Sequence, residues 1–154
     1  MSETGRPDRP RVRIVERNPP NIREIRAAFD LTGNEIFAWG PDTIFNPSGA
    51  HLSPALIAHE TEHVRQQNGD PEAWWDRYLR DAEFRLDQEV VAHRAEWEAF
   101  KRQKANPRKR RRYLGELARR LASAMYGSMV SPSEARALIR RGGVGPAPAN
   151  EGES

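Results

Sequence analysis

The 154-residue sequence contains no cysteine. That absence excludes a disulfide framework and a thiolate metal site, so any metal must be held by nitrogen and oxygen ligands. Long apolar runs are missing too: nothing approaches the roughly 20 residues that cross a bilayer, and the opening MSETGRPDRPRVR has no apolar stretch of a secretory kind. The expectation is a cytoplasmic protein with no membrane contact. A charge excess of one sign is also lacking, since 25 basic residues face 22 acidic ones for a net charge of +3. The pI near 9.7 therefore says little by itself about partners.

Hydrophobic residues make up 37% of the chain and charged residues 31%, with a mean hydropathy of -0.85. The core must be modest, and 154 residues suit one domain better than two. Residues 1–10 are polar and rich in Pro and Arg, and 142–154 (GGVGPAPANEGES) has almost no apolar bulk. Both read as disordered tails around a single domain over 11–141.

Within that domain, Arg11 to Val15 alternates basic and β-branched residues like an edge strand. Pro19-Pro20 opens a short helical pattern through Ile22, Ile25 and Phe29. Two apolar runs, Glu35 to Trp39 and Thr43 to Asn46, flank Gly40-Pro41-Asp42 and predict a hairpin. From Ser53 onward the pattern is helical. Ser53 can cap and Pro54 fits the first helical position, with the helix running to about Gln67 and stopped by Asn68-Gly69-Asp70-Pro71. Further helices are expected over Glu72 to Arg80, from Asp81 to about Lys104, over Arg108 to Tyr126, and from the capping box Ser131-Pro132-Ser133-Glu134 to Gly142. The fold class is α+β, mainly helical, with a small N-terminal β element and about five helices.

The strongest chemical signal is His59-Glu60-Thr61-Glu62-His63, inside a helix assigned from its caps and breakers alone. At about 3.6 residues per turn the two histidines share a face, so both imidazoles can reach one metal ion. Glu60 projects beside the pair, too far round to ligate easily but placed to hydrogen-bond a water on the open position. Zinc lowers the pKa of such a water to about 7, and Glu60 would take its proton and pass it to a leaving amine. Chance produces His-Glu-x-x-His in roughly one chain of this length in a few hundred. The bland reading is a helix with two exposed histidines.

A catalytic zinc usually takes three protein ligands. Glu89 is the favoured third, 26 residues after His63 in EVVAH, where Glu89 and His93 again share a helix face and Ala92 permits close approach. His93 could instead ligate, or could orient Glu89 or an imidazole from behind. Glu83, Asp87, Glu96 and Glu98 read as a solvated face. Donors for a tetrahedral oxyanion could come from Tyr78, His93, Tyr126 or Arg85, and the hairpin could align a peptide by strand addition.

HETEH followed by a Glu-x-x-Ala-x element resembles the gluzincins, the zincin metallopeptidases whose third ligand is glutamate. HETEHVRQQ, WWDRYL, FRLDQEVVAH and YGSMVSPSEARALI together resemble small putative peptidases of phage and bacterial genomes, over about residues 11–141. The resemblance implies a minimal zincin-like fold and a peptide or protein substrate. It also implies Zn2+ on His59, His63 and Glu89, with Glu60 as general base. In that family an aspartate commonly stands where this chain has His93, and an uncharged residue where it has Glu62.

Three further features stand beside the motif. The aromatic set Trp74, Trp75, Tyr78, Phe84, Trp97 and Phe100 reads as core between helices rather than a ligand cage, and His51 reads as a loop histidine. The run KRQKANPRKRRR, residues 101–112, places eight positive charges in twelve positions and could contact nucleic acid unspecifically. Three functions are thus compatible with the sequence: a zinc metallopeptidase, a zincin-like accessory or binding protein without turnover, and a basic DNA-associated protein.

Overall fold

The structure is a computed structural model and describes residues 11–141; the tails expected at 1–10 and 142–154 lie outside the described residues. The basic and β-branched alternation forms a short strand, β1 (Arg13–Val15), followed by α1 (Ile22–Ala28), whose one buried residue is Ile25. The apolar runs around Gly40-Pro41-Asp42 form β2 (Phe37–Trp39) and β3 (Thr43–Phe45), paired antiparallel. β1 adds to β3 in parallel, so the sheet order is β1-β3-β2 and β1 is indeed an edge strand.

Among the described residues, six α-helices and this small sheet make a mainly helical fold with a minor β element, as the sequence predicts. The first long helix, α2 (Pro54–Gln67), begins where Ser53 Oγ accepts the Leu56 N–H at 3.1 Å and ends at Asn68, whose φ of 50° is left-handed. Next comes α3 (Pro71–Arg80), which starts one residue earlier than expected because Asp70 accepts the Ala73 N–H and Pro71 takes the first position. Asp81 caps α4 (Ala82–Lys101) as expected, but the helix stops short of Lys104, which has a φ of 63°. Asn106 then caps α5 (Pro107–Leu121). That helix does not continue to Tyr126: Ser123 is extended, and a single 3-10 turn, Ala124–Tyr126, follows. The predicted Ser131–Glu134 capping box starts α6 (Pro132–Arg140). Among the described residues no helix is long and apolar enough to cross a membrane.

Two apolar clusters frame the molecule. One joins α1, the hairpin and α3 through Ile25, Phe37, Phe45, Trp74, Trp75 and Tyr78; the other joins α4, α5 and α6 around Trp97, Leu117, Leu121 and Ile139. The aromatic residues are therefore core, divided between the two clusters. Between them α2 packs along α4, and here, beside Ala55, Val64 and Ala92, a group of polar side chains is buried: His59, Glu60 and His63 from α2, and Glu89, His93 and Glu96 from α4. Gln67, at the end of α2, holds the hairpin in place. It donates to Ala38 O at 3.1 Å and accepts the Gly40 N–H, a close approach that a side chain at 40 would crowd, since a Cβ there would lie 3.3 Å from Gln67 Oε1.

Candidate metal centre

One helical turn separates His59 from His63, and both imidazoles point from α2 toward α4. They meet the two oxygens of one carboxylate. His59 Nε2 lies 3.2 Å from Glu89 Oε1 and His63 Nε2 lies 3.0 Å from Glu89 Oε2. Ligands about 2.0–2.1 Å from a tetrahedral ion are about 3.3 Å from one another, so these separations fit a shared cation.

The outer nitrogens explain the orientation. His59 Nδ1 stands 2.8 Å from Glu96 Oε1, and His63 Nδ1 stands 2.8 Å from Gln66 Oε1, whose amide nitrogen donates to Gln88 O at 3.0 Å. A carboxylate and an amide oxygen only accept, so each ring donates from Nδ1 and turns a lone pair at Nε2 inward, toward Glu89. In the neutral tautomer both Nε2 atoms would then face carboxylate oxygens acceptor to acceptor, an arrangement that a cation relieves.

The electrostatics favour positive charge opposite Glu89, which protons on the two rings can supply as well as a cation. Burial pulls the His59 pKa down, but Glu89 and Glu96 outweigh it and hold the ring well above its ordinary value. His63 is raised against the same burial penalty by Glu89. Glu89, despite burial, is held well below the usual carboxylate range by His63 and His59. Burial raises Glu60 above it, against the pull of the two histidines. The Tyr78 hydroxyl donates to Glu89 Oε2 and fixes that carboxylate from the third helix.

All five residues singled out in the sequence come together here. His93 is 0% exposed, bonds Glu89 O through Nδ1 at 2.7 Å, and leaves Nε2 buried without a partner. His59, Glu89 and His93 each offer a ligand atom within 4.8 Å of the others. Among the described residues this is the one set whose ligand atoms all lie that close together; His63 meets the other oxygen of Glu89 but is not part of it.

Glu96 is the residue the sequence reading misplaced. It is not on a solvated face but 1% exposed, bonded to His59, to the Tyr113 hydroxyl and, at 3.3 Å, to Arg120. Burial opposes its ionisation, yet His59 and Arg120 bring its pKa down to about 2. The signal was present: Glu89, His93 and Glu96 are spaced by four and three and so share one face of α4. Glu62, by contrast, is half-buried and pairs with Arg65.

A cavity of about 530 Å³ opens onto the centre, reached by His59, Glu60, His63 and Glu89 and walled by apolar side chains including Phe29, Phe37, Leu56 and Trp75. No protein-family model, curated protein or solved structure matches this chain. Of the four proposed oxyanion donors, Arg85 is committed to the Met125 and Tyr78 carbonyls, His93 is buried behind Glu89, and Tyr78 is engaged with Glu89. Tyr126 and Arg120 line the cavity, Arg120 without having been anticipated. Strand addition along all of β2 is ruled out, because the outward carbonyl of Ala38 already accepts from Gln67 and from Trp75 Nε1 at 2.9 Å. Only the Glu35–Phe37 end of that edge borders the cavity.

Proposed function

We propose that this chain is a zinc metallopeptidase in which His59, His63 and Glu89 hold the metal and Glu60 is the general base. The observation that carries the reading is the convergence of two imidazole Nε2 atoms on the two oxygens of Glu89, with both Nδ1 atoms tied to acceptors. When bound, zinc supplies a Lewis acid that polarises a carbonyl and acidifies water.

The chain's own groups do the rest. Glu60 borders the cavity with Oε2 3.9 Å from His59 Nε2, so its carboxylate can take the proton of an attacking water and return it to the leaving amine. Its burial-raised pKa makes it a stronger base than an ordinary carboxylate. Tyr126 is the hydroxyl left to stabilise the developing oxyanion, and the apolar walls exclude water from the reacting bond. His93 positions Glu89 through its main chain.

The test combines metal content with turnover. Purified wild type should carry close to one zinc per chain, and Glu60→Gln should keep it while losing at least about 100-fold in cleavage of a mixed peptide library. His63→Ala should lose the metal. Zinc well below stoichiometry under metal-sparing conditions would sink the proposal, and zinc bound with no cleavage by wild type would favour the accessory protein instead.

A further inference from the structure

We propose that the solvent face of α5, extended by α6, is a docking surface for the phosphate backbone of double-stranded nucleic acid. The inference stands apart from the metal centre. It starts from the basic segment, whose positive charge the proposed peptide chemistry leaves unused.

On α5, Arg108, Arg111, Arg112 and Arg119 fall within an arc of about 100° at 3.6 residues per turn. Leu114, Leu117, Ala118 and Leu121 bury the opposite face. Among the described residues, no carboxylate lies within 4.0 Å of any of these four arginines. Gly115 lies in the middle of the same arc and is buried there beneath arginine side chains. The space it leaves is taken by charge from a second helix: Arg136 Nη2 of α6 and Arg119 Nη1 come within 3.3 and 3.5 Å of the point where a Cβ at 115 would stand. Two guanidinium groups thus converge over one glycine, and among the described residues no carboxylate lies within 4.0 Å of either.

From Arg108 to Arg119 the stripe runs about 17 Å along the helix axis. Duplex DNA presents a phosphate about every 3.4 Å of its axis on each strand, so the stripe spans about five. The chemistry favours a duplex backbone over other polyanions. No exposed aromatic residue accompanies the stripe to stack unpaired bases, because Tyr113 is stacked on Phe100 with ring centroids 3.9 Å apart and bonded to Glu96. A membrane surface would call for apolar residues on the same face to insert, and those of α5 all point into the core.

Fluorescence anisotropy of the full chain with an arbitrary duplex of about 25 base pairs tests this. Binding should be independent of sequence and weaken roughly 500-fold between about 50 and about 200 mM salt, the slope for about five neutralised phosphates. Arg108→Gln/Arg111→Gln/Arg112→Gln should weaken binding at least about 10-fold and flatten the salt slope by two to three. Arg119→Gln/Arg136→Gln should act in the same direction. A variant of equal charge elsewhere, Arg23→Gln/Arg26→Gln/Arg80→Gln, should bind as wild type. Absence of duplex binding overturns the proposal, as does equal loss in the control variant, which would mean net charge alone. Capture by phosphatidylserine vesicles without duplex binding overturns it in favour of a membrane partner.

Discussion

Glu96 sits one turn beyond His93 and does what the carboxylate behind a metal-ligating histidine does: it fixes the tautomer and aims the ring. The gluzincin resemblance leads one to look for that carboxylate four residues after Glu89, where His93 stands instead. The glutamate at 96 reaches His59 from farther along the same face. Replacing it tests the assignment separately from catalysis. Glu96→Gln keeps the volume but removes the charge, and zinc affinity should fall about 10- to 100-fold in a competitive chelator titration. Unchanged affinity would mean that His59 is not a ligand or needs no orienting partner. That His59 and His63 share one face of α2, and Glu89 and His93 one face of α4, was legible because helix periodicity fixes which residues share a face. Glu96 was missed because burial is a property of the packed helix pair, and a sequence this rich in charge gives no local sign of which carboxylates face inward.

At the scale of elements, caps and breakers carried most of the information. Ser53, Asp81, Asn106 and Ser131 each accept an N–H at the start of the helix expected there, because the bond is local and needs no tertiary partner. The ends of α4 and α5 were placed too late, and the parallel pairing of β1 with β3 spans about 30 residues and leaves no local trace. The join between the hairpin and the helices is tertiary as well. Gln67→Ala should strand the Gly40 N–H and cost about 1–3 kcal/mol in urea unfolding; a loss within error would show that water replaces the amide. Glu35 gives the loop before β2 a pH dependence. Partial burial raises its pKa, but hydrogen bonds from the Thr32 and Gly33 N–H groups outweigh that and lower it. A carboxylate with a depressed folded pKa contributes stability above its ordinary value near 4.5, and that contribution disappears as pH falls through the folded value. The gap in melting temperature between wild type and Glu35→Gln should therefore be present near neutrality and close in acid. A gap that widens in acid would contradict the assignment.

The molecule as a whole places six buried polar residues between two apolar clusters, in the layer where a small domain would ordinarily concentrate its hydrophobic contacts. Buried carboxylates and imidazoles are costly unless mutually compensated, so the packing of α2 on α4 depends on charge balance at Glu89. A cation that binds the folded chain and not the unfolded one should stabilise this junction directly. Zinc at about 100 times its dissociation constant should add about 2.7 kcal/mol, raising the melting temperature by several degrees for a domain of this size. Chelator should reverse the rise. Glu89→Gln should abolish it, because the amide keeps one oxygen but loses the carboxylate charge and turns an NH2 group toward one imidazole, whereas His51→Ala, in an exposed loop outside the centre, should leave it intact. A melting temperature indifferent to zinc, or a rise that survives Glu89→Gln, would place the metal elsewhere and leave the α2–α4 layer as a hydrogen-bonded polar core.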